Sequence, residues 1–421
     1  MHLHFFILSL LFAASILQPC DGQTPESPTP TTAAFDSPGI FPATKFLPAK
    51  SLTGKGYTID PNVYNDGVYN TWRVSSDYGS YEVTGDERLT VCLREIAAIR
   101  AIRSQNNLAR FGEGAAAAGK GTLQAAGNIV RNPVKTAQQL PAGALRFVGR
   151  VGQTVNHAAT GTLDIPTDGD GAQIASKIVG VDKAKRNLAA KLGVNAFSSN
   201  IALQSALDDA AWSLCLGRLT VDIGKSLVLP VAAAATITAI NVTSTLTREQ
   251  IEASPSELVN SVKTQLAGLG AGVAGIDALT QNTQFNPWTL AAIANALAIV
   301  GPNAGIDAFV SRAATAANDL DAFYFVRTAQ LMASYSTTSA ITGIEPAAVA
   351  IVCRDASGKI VVPLWADYLL WTPELDQACQ RVLAQAANLN APGVVLYTTA
   401  KMSPAVASGF AAKGIQVTFA E

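Results

Sequence analysis

The sequence predicts an α+β protein: a small N-terminal β-hairpin, a large, mainly helical middle and a C-terminal ββαβαβ α/β domain. Three observations carry this. Two β-rich runs flank a turn near residues 68–84, apolar residues recur at helical spacing between 174 and 335, and beyond 343 short apolar strands alternate with well-capped helices. The chain has 421 residues, of which 49% are hydrophobic and 14% charged, against about 25% charged in an average soluble domain. That balance excludes a generally disordered chain. The length allows more than one domain around a sizeable core.

Taken in order, Phe5 to Leu17 is an uncharged apolar run of thirteen residues. It is too short to span a bilayer but suits the apolar stretch of a secretory signal. Residues 1–22 are therefore expected to form a signal peptide cut after Gly22. Two alternatives are lipidation at Cys20, whose preceding Gln18 and Pro19 suit a lipoprotein signal poorly, and an uncleaved anchor. Residues 23–56 begin with a Pro-, Thr- and Ser-rich stretch and read as a disordered linker. A mainly helical domain is then expected over 57–342 and a small α/β domain over 343–421.

Within the first domain, Val68 to Ser76 and Tyr81 to Thr84 flank Asp77-Tyr78-Gly79-Ser80, the signature of a hairpin. Leu89, Cys92, Leu93, Ile96, Ile99 and Ile102 follow helical spacing. Further helices are expected at 174–192, 200–219, 255–267, 287–300 and 304–335, opened by signals such as Ser254-Pro255 and Asn286-Pro287. Ser226 to Thr247 carries no charge but holds Pro230 and five Thr, and reads as a buried Ala-rich helix rather than a membrane span. In the second domain, Ala348 to Arg354 and Lys359 to Trp365 read as strands joined by Asp355-Ala356-Ser357-Gly358. Thr372-Pro373-Glu374 and Ser403-Pro404 open helices, and Val394 to Thr398 and Ile415 to Phe419 are the remaining strands.

Histidine sets the firmest chemical exclusion. Of three, His2 and His4 lie in the signal segment, which leaves His157. Zinc sites needing two histidines and most His-dependent triads are thereby excluded. No G-x-S-x-G is present. Removing residues 1–22 removes Asp21 and no Lys or Arg, so 30 basic residues then face 30 acidic ones. That balance gives no charge argument for nucleic acid, and no cofactor is implied.

Several motifs remain. Gly114 to Thr122 matches G-x-x-x-x-G-K-G-T, but the preceding residues continue a helix where a phosphate loop needs a strand. Gly270 to Gly275 satisfies G-x-G-x-x-G but also follows a helix. Asp164, Asp168 and Asp170 have a spacing that could offer oxygens to calcium, although the bidentate Glu of an EF-hand is missing and a solvated turn competes. Asp208-Asp209 and Trp212 read as a solvated face beside a core Trp. Four cysteines, Cys92, Cys215, Cys353 and Cys379, fit two disulfides or four small buried side chains. Cys353, on a central strand, and Cys379, on the helix that should cover it, are the expected pair. Asp367, Tyr368 and Trp371 follow a strand end and are the candidates for a catalytic or binding site, with packing and capping as the competing role. Finally, Gly114 to Leu163 holds five Lys or Arg and no acid. Arg146 and Arg150 beside Leu145, Val148 and Val151 are candidates for contact with an anionic membrane surface. The competing reading is a small-residue segment packed on the helical body.

Lys185-Arg186, Leu188-Ala189, Leu192-Gly193-Val194-Asn195, Ser199-Asn200 and Leu203-Gln204, together with Asn132-Pro133-Val134, Asn286-Pro287-Trp288 and Gly305 to Phe309, resemble the landmarks of an uncharacterised exported bacterial protein family. The resemblance runs from about Tyr57 to the C-terminus. It departs where Thr289-Leu290 follows the Trp in place of Tyr-Ser-Pro. It implies an envelope or secreted (periplasmic or extracellular) protein and brings no catalytic residue with it. The expectation is a non-catalytic exported protein acting on a protein partner or a membrane surface. The alternative is an enzyme with its site near Asp367, Tyr368 and Trp371.

Overall fold

The computed structural model of the chain describes residues 34–104, 171–215, 242–303, 305–345 and 350–420, the side chains of 171–179, 215 and 242 excepted. The signal segment with Cys20, the Gly114 to Thr122 motif, Asp164, Asp168, Asp170, Arg146, Arg150 and residues 226–241 lie outside these. The protein is α+β.

Strand structure starts earlier than expected. β1 (Gly39–Pro42) lies inside the stretch read as a linker and pairs antiparallel with β4 (Asn62–Asn65). The cause is the apolar run that follows it: Ala43, Phe46 and Leu47 are buried beneath the sheet with Trp72. β2 (Thr53–Gly54) and β3 (Tyr57–Ile59) complete one side. β5 (Asn70–Ser76) is the central strand. β4 and β3 pair along one of its edges and β6 (Gly79–Thr84) along the other. The expected hairpin is therefore present, with Ser76 opposite Gly79 and a two-residue loop, Asp77-Tyr78, in place of four. The strand period puts Asn70, Trp72 and Val74 on the covered face. The expected helix, α1 (Asp86–Arg103), covers that face through Leu89, Cys92, Leu93 and Ile96. Its later turns, Ala98, Ile99 and Ile102, enter the core of the helical middle.

That middle contains α2 (Gly171–Leu192), α3 (Ile201–Cys215), α4 (Arg248–Glu252), α5 (Pro255–Gly268), α6 (Val273–Gln281), α7 (Pro287–Val300), α8 (Ile306–Ala313) and α9 (Asp319–Ser336). α5 and α7 start where the sequence places them. Ser254 with Glu257 and Asn286 with Thr289 form reciprocal capping boxes, each with Pro in the first turn. The single helix expected over 304–335 is two helices. Asn318 caps α9 by accepting from the Asp321 amide, and Asp321 accepts from the Ala317 amide. The Asn282 amide group donates to the Ala314 and Ala316 carbonyls freed at the break. Gly270 to Gly275 lies at the α5–α6 junction. A Cβ at Gly272 or Gly275 would stand 2.9 Å from Asp307 or 2.8 Å from Ser311, so these glycines let α6 sit against α8. The segment is a helix–helix contact, not a dinucleotide fingerprint. Among the described residues no helix is long and apolar enough to cross a membrane.

The C-terminal part is the expected ββαβαβ run with one strand added in front and two short strands within it. In order it is β7 (Ile341–Glu345), β8 (Val352–Asp355), β9 (Ile360–Leu364), β10 (Tyr368–Leu369), α10 (Pro373–Asn388), β11 (Val394–Thr398), β12 (Lys401–Met402), α11 (Pro404–Ala412) and β13 (Ile415–Phe419). The boundary expected at 342/343 falls within β7. The main sheet has the order β13-β11-β9-β8-β7, parallel through β9 and antiparallel beyond it. β10 and β12 form a separate parallel pair. One face of the main sheet, through Cys353, Val361, Val395 and Tyr397, joins the core of the helical middle. The other, through Val352, Val362, Val394 and Leu396, packs under α10 and α11.

Candidate functional site

The expected disulfide is absent: Cys353 and Cys379 are both free and buried. Strand alternation explains it. Cys353 points into the main core, while Cys379 on α10 belongs to the cluster across the sheet. Burial pushes the Cys353 thiol far up and the Cys379 thiol up to about 12, so neither is a ready nucleophile.

Asp367, Tyr368 and Trp371 are not brought together. Their segment crosses the N-terminal sheet, with the Asp367 amide donating to the Val68 carbonyl and the Leu370 amide to that of Gly67. Asp367 turns inward. Its Oδ2 accepts from the Asn70 amide at 2.8 Å and its Oδ1 from the Asp86 amide at 2.9 Å, at the start of α1. Tyr368 faces the other way, its ring 5.4 Å from Phe46 and under the Lys45 ammonium at 4.3 Å. Trp371 packs edge-on to Phe410 of α11. These are the packing and capping roles that the sequence left open. Trp212 is 43% exposed rather than part of the core, and Lys185 pairs with Asp208 at 2.6 Å.

Around Asp367 lies a polar network that the sequence did not point to. Asp86 Oδ1 accepts from Asn70 Nδ2 at 2.9 Å and Trp72 Nε1 at 2.8 Å, and Asn65 Nδ2 donates to Asn70 Oδ1 at 2.9 Å. Burial raises both carboxyls, and at Asp367 the Asp86 carboxylate adds to the effect. Next to it, Glu87 meets Arg327 in a deeply buried ion pair, Nη2 to Oε1 at 2.8 Å, and Arg88 pairs with Asp319. A further buried acid, Glu95, accepts from Asn200 Nδ2 at 3.0 Å and is raised to about 7 by burial. Raised carboxyls in a cleft suggest catalysis. Here, however, Asp367 is 8% exposed and both its oxygens are held by backbone amides. Apart from Asp367 itself, the network's local signal is Asp86-Glu87 in the first turn of a helix, which is a common pattern.

An open space exists elsewhere. A cavity of about 310 Å³ lies between α10 and the sheet face formed by Val362, Leu364, Val394 and Leu396. Leu375, Ala378, Cys379 and Val382 of α10, Phe410 of α11 and the loop Asp66 to Tyr69 close it. The lining is largely apolar. Along α10, Cys379 and Ala386 are buried, whereas Leu375, Ala378 and Val382 are half-buried and face the cavity. The charged groups in the wall are Asp66, Asp321, Glu374 and Arg312. Among the described residues no group of His, Cys, Asp and Glu is arranged to hold a metal.

No family model, curated protein or solved structure matches the chain, so the residues of the resemblance take their meaning from the structure. Two of its segments pack on each other: Phe197 meets Trp288 edge-on at 5.7 Å. Asn200 caps α3, accepting from the Ala202 and Leu203 amides. All of these roles are structural.

Proposed function

We propose that this is a non-catalytic exported protein that acts by binding, and that the cavity beneath α10 is its ligand site. The observation that carries this is the cavity itself. Protein interiors are close-packed and leave few voids larger than a water molecule. A space of about 310 Å³ walled by the sheet and α10 falls within the size range of small-molecule sites, roughly 300–1,000 Å³, and has their apolar lining. The inward commitment of Asp367 counts against the enzyme reading. Export rests on the Phe5 to Leu17 run and the small residues before Gln23.

The test is a titration of the full chain with N-phenyl-1-naphthylamine, an uncharged probe that fluoresces on leaving water. Saturable one-to-one uptake is expected, and it should be lost in Ala378→Trp, which fills the space from α10 while circular dichroism shows the fold retained. No saturable uptake, or equal uptake by the folded variant, defeats the reading. A membrane-surface role is a second reading, favoured by the acid-free basic stretch that contains Arg146 and Arg150. Flotation with anionic vesicles, abolished by Arg146→Glu with Arg150→Glu, supports it, and no flotation at low salt removes it.

A further inference from the structure

The cavity has a charge character as well as a shape. Its wall carries three acids, Asp66, Asp321 and Glu374, against one base, Arg312. Two of the acids are fixed in place. Asp66 Oδ1 accepts from the Val68 and Tyr69 amides at 2.9 and 2.7 Å, and Asp321 Oδ2 accepts from the Ala317 amide and Asn318 Nδ2 at 3.0 and 3.1 Å. Glu374 is exposed, in the first turn of α10. Burial raises the Tyr324 phenol, and the nearby Arg312 guanidinium offsets part of that rise. Even with Asp321 counted as neutral, Asp66 and Glu374 outnumber Arg312.

The start of a helix ordinarily attracts anions, and α10 begins at this cavity. Its first turn has little left to offer. Pro373 has no N–H, and the Leu375 amide is held by the Thr372 hydroxyl at 3.2 Å. An anionic head group would thus meet carboxylates without a set of free donors, and burying it unpaired is unfavourable. An uncharged apolar molecule loses nothing there and meets apolar side chains such as Val362, Leu364, Leu375, Val382, Leu396 and Phe410.

We infer that the cavity selects an uncharged apolar ligand and rejects anionic amphiphiles such as fatty-acid carboxylates. This rests on the cavity being the ligand site. A matched probe pair tests both claims separately: N-phenyl-1-naphthylamine and its anionic counterpart 8-anilino-1-naphthalenesulfonate share one ring system and differ in the sulfonate. The uncharged probe should bind the full chain about tenfold more tightly. Glu374→Lys should raise the affinity for the anionic probe relative to the uncharged one by about the same factor. Equal or tighter binding of the sulfonate by the unaltered chain, abolished by Ala378→Trp, overturns the charge selection and leaves the site standing. So does a Glu374→Lys chain whose sulfonate affinity does not move relative to that for the uncharged probe. Failure of the uncharged probe to saturate, or its indifference to Ala378→Trp, overturns the site and the selection together.

Discussion

Glu95 shows how one residue sets a pH response. It lies fully buried on α1, raised to about 7 by desolvation, with Asn200 from the start of α3 as its hydrogen-bond donor. A carboxyl raised on folding binds its proton more tightly in the folded state. Its contribution is therefore complete below the unfolded value near 4.5 and is lost as the pH rises to about 7. Urea unfolding at pH 5 and pH 8 should show Glu95→Gln gaining about 3 kcal/mol on the parent between the two. An unchanged difference would mean that Glu95 is ionised without cost at both. Asp367 is used differently. Asp367→Ala strands the Asn70 and Asp86 amides, and a loss of about 2–4 kcal/mol is expected, with uptake of the uncharged probe unaltered because Asp367 does not line the cavity. Loss of uptake by the folded variant would tie Asp367 to the site. The sequence singled out Asp367 by its place after a strand. It could not give the direction of the side chain, because the acceptor's partners are backbone amides some 280 and 300 residues away in the chain. The disulfide expectation failed for a related reason: strand parity decides which face Cys353 takes, and one residue of register reverses it.

At the scale of elements, local signals were legible wherever the cap is made by neighbours. Ser254-Pro255, Asn286-Pro287, Thr372-Pro373 and Ser403-Pro404 each open a helix as expected. The break between α8 and α9 was not legible, because Asn282 reaches it from another helix. Nor was β7, which is completed by its pairing with β8. Glycine separates the local from the tertiary cause. Gly270 and Gly305 both hold positive φ, at +97° and +103°, but a Cβ at Gly270 meets nothing within 4 Å while one at Gly305 would lie 1.9 Å from the Ile344 carbonyl oxygen. Gly270→Ala should therefore cost about 1 kcal/mol for its backbone alone, and Gly305→Ala about 3–5 kcal/mol because β7 must also move off α8. Similar midpoints for the two in urea would show that β7 yields freely.

Over the whole molecule, the sequence suggested two domains, over 57–342 and 343–421; two features join them, and a buried ion pair ties the two ends of the first together. The main sheet shares its Cys353 face with the helical core. Residues 367–370 hydrogen-bond across the loop at 67–70 of the N-terminal sheet. Arg327 of α9, 2% exposed, meets Glu87 of α1 far from water. An ion pair so deeply buried contributes little beyond its own desolvation, but removing one partner leaves the other charge stranded. Arg327→Ala is therefore expected to lose about 3–5 kcal/mol, and pairing it with Glu87→Gln should recover part of that loss, since the stranded charge is then gone. Because the pair bridges the N-terminal helix and the helix that supports the C-terminal sheet, the loss should fall on every part at once. Tryptophan fluorescence reports on Trp72 in the N-terminal sheet, Trp288 in the helical middle and Trp371 under α11, while far-ultraviolet circular dichroism reports mainly on the helices. The two signals should move to lower urea together, in a single transition. Two separated transitions in the parent, or a shift confined to one signal in Arg327→Ala, would mean that the C-terminal sheet unfolds on its own and that the shared core does not couple the parts.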